Sequence, residues 1–267
     1  MGTLRSRLGY AAVVIAVFLV AERLNDLLWR LDAFRELRGR SPEATGALVS
    51  VLEVSLCLLA LALARRTGWR EALRELGLLA PPGRALAFAF LATLPMLLAF
   101  AATSPLAPDS PPLRLFLLAF FWPLAEEIVF RGYLFRQLFS RAGWGFWPAA
   151  LFTAVFFGLG HLYQGVKGDL DLLGTAGVVA ITALGSVFFS WLFLRWGFNL
   201  WVPFWVHALM NLWWDLFAVD ETALGGGLAN AARILAMLLA IVLTLLKGRI
   251  WRSERSDALE PLPITRV

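Results

Sequence analysis

Hydrophobic residues along this chain gather into long runs separated by short polar breaks, and the lengths of those runs decide the architecture. A run of roughly 18 or more apolar residues is long enough to cross the hydrocarbon core of a bilayer. Such stretches lie at residues 4–21, 46–64, 85–103, 113–139, 146–163, 174–195, 199–218 and 229–246. Backbone in lipid must satisfy its own hydrogen bonds, so each stretch is predicted to be helical. The fold class is therefore all-α, a polytopic bundle of about eight transmembrane helices in one integral domain over residues 1–267. Residues 22–40 read differently. Leu24, Leu27, Leu28, Leu31, Phe34 and Leu37 recur at helical spacing among balanced charges, which predicts an amphipathic helix at the interface. A basic loop over 65–84 carries a short helix before Pro81 and Pro82, a Pro-rich connection covers 104–112, and a basic tail covers 247–267.

Composition supports this picture. The chain is 60% hydrophobic and 16% charged, against roughly half and a quarter in soluble domains. The formal charge of +5 would raise nucleic acid as a partner in a soluble chain. Here most Lys and Arg fall between apolar runs and read as topology signals, so no nucleic acid is expected. They are more numerous on the side of the termini, which predicts both termini in the cytoplasm and an integral protein of a bacterial inner membrane. Arg23, Arg30, Arg35, Arg38 and Arg40 dissent, because the first loop lies on the other side. The first run follows Arg5 and Arg7 like a signal peptide, yet Ala21 lacks a small-x-small cleavage pattern, so it is read as uncleaved. The single cysteine, Cys57, lies in an apolar run and offers neither a disulfide nor a thiolate metal cluster. Small residues between Gly174 and Gly185 would let the sixth helix approach a neighbour closely.

The unusual stretch is FFWPLAEEIVFRGYLF at residues 120–135, where Glu126, Glu127 and Arg131 interrupt an aromatic and aliphatic run. Ionisable groups in hydrocarbon are costly and usually face a protein interior or a wet cavity. Helical spacing separates the two acids: Glu127 and Arg131 at i and i+4 share a face and can pair, whereas Glu126 cannot reach Arg131. Glu126 is then the acid free for general-base work. A purely structural salt-bridged cluster is the competing reading. Glu53 in the second run and Asp215 near the end of the seventh are further acids, the first either functional or facing water or a neighbouring helix, the second read as a helix-end group in preference to one that orients Asn211.

Both histidines of the chain, His161 and His207, lie in apolar runs, and Asn211 shares a helical face with His207. Glu126, His161, His207 and Asn211 together supply what peptide hydrolysis needs: a base for water, a group to position that water, and donors for the developing oxyanion. No Ser or Cys nucleophile is required. The same Glu126, His161 and His207 could instead hold zinc, although no HExxH is present. The metal-free route carries no cofactor. A transporter would show broken helices at matching positions in two related halves, and none is found. A non-catalytic immunity or peptide-binding protein of the same fold remains the alternative from another class.

These motifs resemble the CPBP (CAAX protease and bacteriocin-processing) or abortive-infection family of intramembrane endopeptidases, which includes the type II CAAX prenyl proteases. EEIVFRG is similar to its EExxxR block at Glu126, Glu127 and Arg131, FGLGH to FxxxH at Phe157 and His161, and HALMN to the final block at His207 and Asn211. The similarity covers about 90 residues of the motif-bearing core at 113–219. By that resemblance Glu126 and His161 activate water, His207 and Asn211 form the oxyanion site, and Glu127 and Arg131 support them. The implied substrate is a membrane-associated protein or peptide, and the implied chemistry is that of a glutamic-type protease without metal.

Overall fold

The structure, a computed structural model, describes residues 4–65, 68–107 and 111–250. Among the described residues every regular element is a helix. The order is α1 (Leu4–Glu22), α2 (Leu24–Leu28), α3 (Asp32–Arg40), α4 (Pro42–Arg65), α5 (Trp69–Glu75), α6 (Gly83–Thr103), and a continuous helical run α7 over residues 112–141. After it come α8 (Phe146–Leu159), α9 (Tyr163–Lys167), α10 (Leu172–Arg195), α11 (Trp201–Leu216) and α12 (Gly227–Ile250).

Five helical stretches among the described residues are long and apolar enough to cross a membrane: Pro42–Ala64, Gly83–Thr103, Phe146–Lys167, Leu172–Arg195 and Gly227–Lys247. The protein is an integral membrane protein. The other three expected spans are helical but less regular. Charges sit at both ends of α1. The 16 residues of α11 reach only about 24 Å, short of a hydrocarbon core of about 30 Å. The third, α7, carries the charges and changes its helical pitch.

That pitch change is the feature of the fold that most concerns the site. Leu117–Phe121, Glu127–Phe135 and Gln137–Arg141 wind in wide turns with hydrogen bonds from residue i to i+5, separated by α-helical Trp122–Glu126. Wide turns are rare and appear mostly at functional positions. Pro123 lies directly after the first wide turn, and a proline inside a helix removes one backbone N–H donor and crowds the turn before it, which the wider winding of Leu117–Phe121 can accommodate.

The amphipathic segment is not one helix. Leu31 adopts an extended backbone (φ −90°, ψ 126°) that ends the first piece, and Asp32 opens α3, where a carboxylate favours a helix start. Of its six apolar positions only Phe34 is buried among protein side chains, while Leu27, Leu31 and Leu37 face outward. Arg38 rejoins the pieces by stacking over Trp29 at 5.5 Å and bonding Asn25 Oδ1 at 3.2 Å. Of the basic tail, residues 251–267 lie outside the described residues.

Two apolar clusters flank α7. One gathers Phe18, Leu61, Leu76, Tyr133, Leu134, Phe135, Leu138 and Ala149; the other gathers Phe88, Ala92, Met96, Phe189, Val206 and Ala236. Close approach between α8 and α10 depends on Gly158, where a Cβ would lie 2.7 Å from the Val179 carbonyl oxygen. The expectation of close packing along the sixth span is met there, with Ala183 also at the contact. On the far side of α7, a Cβ on Gly132 would lie 2.9 Å from the Leu76 carbonyl oxygen, which ties the helix to the end of α5.

Candidate active site

The site begins with a buried ion pair. Glu127 and Arg131, both with side chains fully buried, approach to 3.2 Å as the i, i+4 spacing predicts, even though this segment winds in wide turns. No nitrogen of Arg131 meets hydrogen-bond geometry with any partner among the described residues. Its charge is shared instead with two aromatic faces, the guanidinium carbon lying 4.5 Å from the Phe157 ring centre and 5.3 Å from that of Phe189. Desolvated cation–π contacts of this kind are worth about 2 kcal/mol.

The same aromatic pair positions the histidines. His207 stacks on Phe189 (5.0 Å, 19°) and meets Phe157 edge-on at 6.3 Å, while His161 packs on Phe157 at 4.8 Å. His207 then lies between the two glutamates. Its Nδ1 is 2.9 Å from Glu127 Oε1 and its Nε2 is 3.9 Å from Glu126 Oε2. Because a carboxylate only accepts, Nδ1 carries the proton in that bond, and Nε2 donates only when the ring holds a second proton.

His161 follows the end of α8, where its Nδ1 lies 2.7 Å from the Phe157 carbonyl oxygen. A carbonyl also only accepts, so Nδ1 is the donor and Nε2 is left as a lone-pair acceptor. Asn211 donates from Nδ2 to the Leu118 carbonyl at 3.4 Å, on the first wide turn of α7. One cavity of about 670 Å³ is lined by Glu126, His161, His207 and Asn211 together, with Trp122, Phe157, Tyr163 and Phe189 in its wall. Asp215 lines it too, and no hydrogen bond joins it to Asn211 among the described residues. A second cavity, of about 190 Å³, shares Glu126 and His161 and is lined also by Glu22, Ser50 and Glu53.

The four residues singled out from the sequence thus face one space, and Glu126 is the acid that Arg131 leaves unpaired. The sequence reading assigned Glu127 only to Arg131. Its bond to His207 joins positions 80 residues apart, which no local spacing signals. Trp122, Tyr163 and Glu22 were also missed. Glu22 looked like the start of a surface helix, although it is an acid at the end of an apolar run. As for zinc, among the described residues no three of His, Cys, Asp and Glu are gathered in a metal-ligand group.

An integral bundle with a carboxylate, two imidazoles and a carboxamide around one cavity, one of the imidazoles held by a buried ion pair, gathers polar groups where a membrane protein rarely carries them. Residues 108–213 match the family model described as type II CAAX prenyl endopeptidase Rce1-like, in agreement with the resemblance carried by its motifs. All four candidate residues and both supporting ones fall within the match. The family implies a protease. No curated protein and no solved structure matches the chain.

Proposed function

We propose that this chain is an intramembrane endopeptidase that hydrolyses a peptide bond of a membrane-associated protein or peptide by direct attack of water. The observation that carries this reading is the shared wall of the larger cavity, where Glu126, His161, His207 and Asn211 face one space. Glu126 takes a proton from water, with the His161 Nε2 lone pair positioning that water. The resulting hydroxide adds to the substrate carbonyl. His207, through Nε2–H of its doubly protonated ring, and Asn211, through its carboxamide, hold the oxyanion. Before water is deprotonated, the positive ring lies between the carboxylates of Glu126 and Glu127. The proton held by Glu126 passes to the leaving amine as the C–N bond breaks, and the acid returns to its starting form.

The route is glutamic and needs no metal. The family's name points to substrates with a lipid-modified C-terminal CAAX sequence, and a cavity with Met96, Leu115, Leu118 and Met210 in its wall supports an apolar chain beside the scissile bond. The chain works as one integral domain of a bacterial inner membrane with both termini cytoplasmic, on the strength of its Lys and Arg distribution. Purified protein given prenylated and unprenylated peptides, as wild type and as Glu126→Gln, tests the reading. Cleavage by wild type and its loss in the variant are expected; undiminished cleavage by the variant overturns the assignment of the base. A non-catalytic immunity role would instead survive the same substitution in cells.

A further inference from the structure

The two cavities divide the candidate residues unequally. Glu126 and His161 line both, whereas His207 and Asn211 line only the larger. The groups proposed to activate water therefore stand in the partition, and the groups proposed to hold the carbonyl oxygen stand on one side of it. The larger space, at about 670 Å³, is within the range of about 300–1,000 Å³ usual for bound organic ligands, and the smaller, at about 190 Å³, is below it. The smaller space is still ample for several waters, each occupying about 30 Å³ in the liquid.

Its far wall is polar in an otherwise apolar setting. Glu22 closes α1, and Ser50 and Glu53 lie on α4, one of the helices apolar enough to cross the membrane. None of these three side chains has a hydrogen-bond or ion-pair partner among the described residues. All three are half-buried, and polar groups at such a depth in an apolar bundle are costly unless something hydrogen-bonds them. A cation is not the answer, since these carboxyl groups are not gathered as metal ligands. Water is, because it can donate to carboxylates and to the Ser50 oxygen alike.

Resting on the hydrolytic reading of Glu126 and His161, we infer that the smaller cavity supplies the attacking water, with Glu53 as a positioning residue that holds it on the α4 side of Glu126. Substrate enters the larger cavity and presents its carbonyl to His207 and Asn211. Water reaches Glu126 from behind. Glu53 accepts hydrogen bonds from the incoming waters and neither gains nor loses a proton over the cycle.

The test compares kcat and KM on a cleaved peptide for Glu53→Leu, Ser50→Leu and Glu53→Gln, with thermal melts to verify folding. The two leucine variants are expected to lower kcat about tenfold, the worth of one hydrogen bond, with KM unchanged. Glu53→Gln, whose carboxamide still binds water, retains most of the wild-type rate. Unchanged kcat in both leucine variants overturns the inference, as does a raised KM at constant kcat, which would assign the space to substrate. A second readout does not depend on turnover. In a Cys57→Ala, Glu126→Gln background, Ser50→Cys is expected to react with a water-soluble, positively charged methanethiosulfonate, equally with and without saturating peptide. No reaction, or protection by peptide, overturns the inference. A wild type that cleaves no peptide defeats the hydrolytic reading itself, whereas cleavage that ignores Glu53 and Ser50 defeats only the supply route.

Discussion

Nδ1 of His207 lies 2.9 Å from Oε1 of Glu127, and the same oxygen lies 3.2 Å from Arg131, so one fully buried carboxylate serves an imidazole and a guanidinium at once. Glu127 is for this reason more than the partner of a structural arginine. It fixes which nitrogen of His207 faces the cavity.

Removing Arg131 should strand the Glu127 carboxylate in a dry environment. Breaking a buried pair by deleting one partner costs about 3–5 kcal/mol. Arg131→Met is expected to lower the melting temperature sharply. The double variant Arg131→Met, Glu127→Gln should recover part of that loss, since neither charge is then left alone. Thermal unfolding of both proteins in detergent checks the order.

Glu126 is set apart from this pair. Its side chain is 35% exposed to the cavities and its nearest cation candidate, His207, is 3.9 Å away. Glu126→Gln is therefore expected to leave stability within about 0.5 kcal/mol of wild type, while the rate falls by about 10² to 10⁴. Steady-state kinetics and a melt on the same preparation separate the two effects.

Asn211 is expected to act on kcat rather than on KM. Loss of one oxyanion donor costs about 10² to 10³ in kcat, whereas loss of its bond to the Leu118 carbonyl costs only about 1 kcal/mol of stability. An Asn211→Ala variant with raised KM and normal kcat would move this residue from the oxyanion to ground-state binding.

Gly158 should resist substitution. Its missing Cβ allows α8 to lie against the Val179 backbone, and overpacking a tight contact costs about 1–3 kcal/mol. Gly158→Val is expected to destabilise the protein and to depress activity as well, because Phe157 and His161 sit on the same end of α8. Activity normalised to folded protein tells whether the site itself has moved.

Metal chelation addresses the chemistry directly. With the zinc set not gathered in this arrangement, strong chelators are expected to leave turnover unchanged. Loss of activity restored by added zinc would reassign Glu126, His161 and His207 as ligands.

Much of this site was legible in the sequence because its signals are local. The i, i+4 spacing of Glu127 and Arg131, the same spacing of His207 and Asn211, and the scarcity of charge in long apolar runs all survive without coordinates. What escaped was non-local or conformational. The Glu127–His207 bond and the aromatic sandwich of Phe157 and Phe189 around Arg131 join distant segments. The break at Leu31 has no Gly or Pro to announce it, and wide turns leave no compositional mark. Span counting was limited by length instead: the expected stretch at 199–218 forms α11, whose 16 residues are fewer than a crossing needs, whereas Pro42–Ala64 meets both length and hydropathy.

The wide turns of α7 also bear on how the gene can change. Each i to i+5 turn holds an extra residue relative to an α-helix, so losing one codon between 127 and 135 would let the segment relax to ordinary pitch instead of breaking it. Because the lost residue is the one the wide turn had absorbed, the helix beyond the deletion would keep its facing, and Leu138 would stay among its packing partners. Length and phase are thus uncoupled in this helix, and a single-residue deletion just beyond Arg131 should be absorbed where the same deletion in an ordinary α-helix would turn everything after it by about 100°.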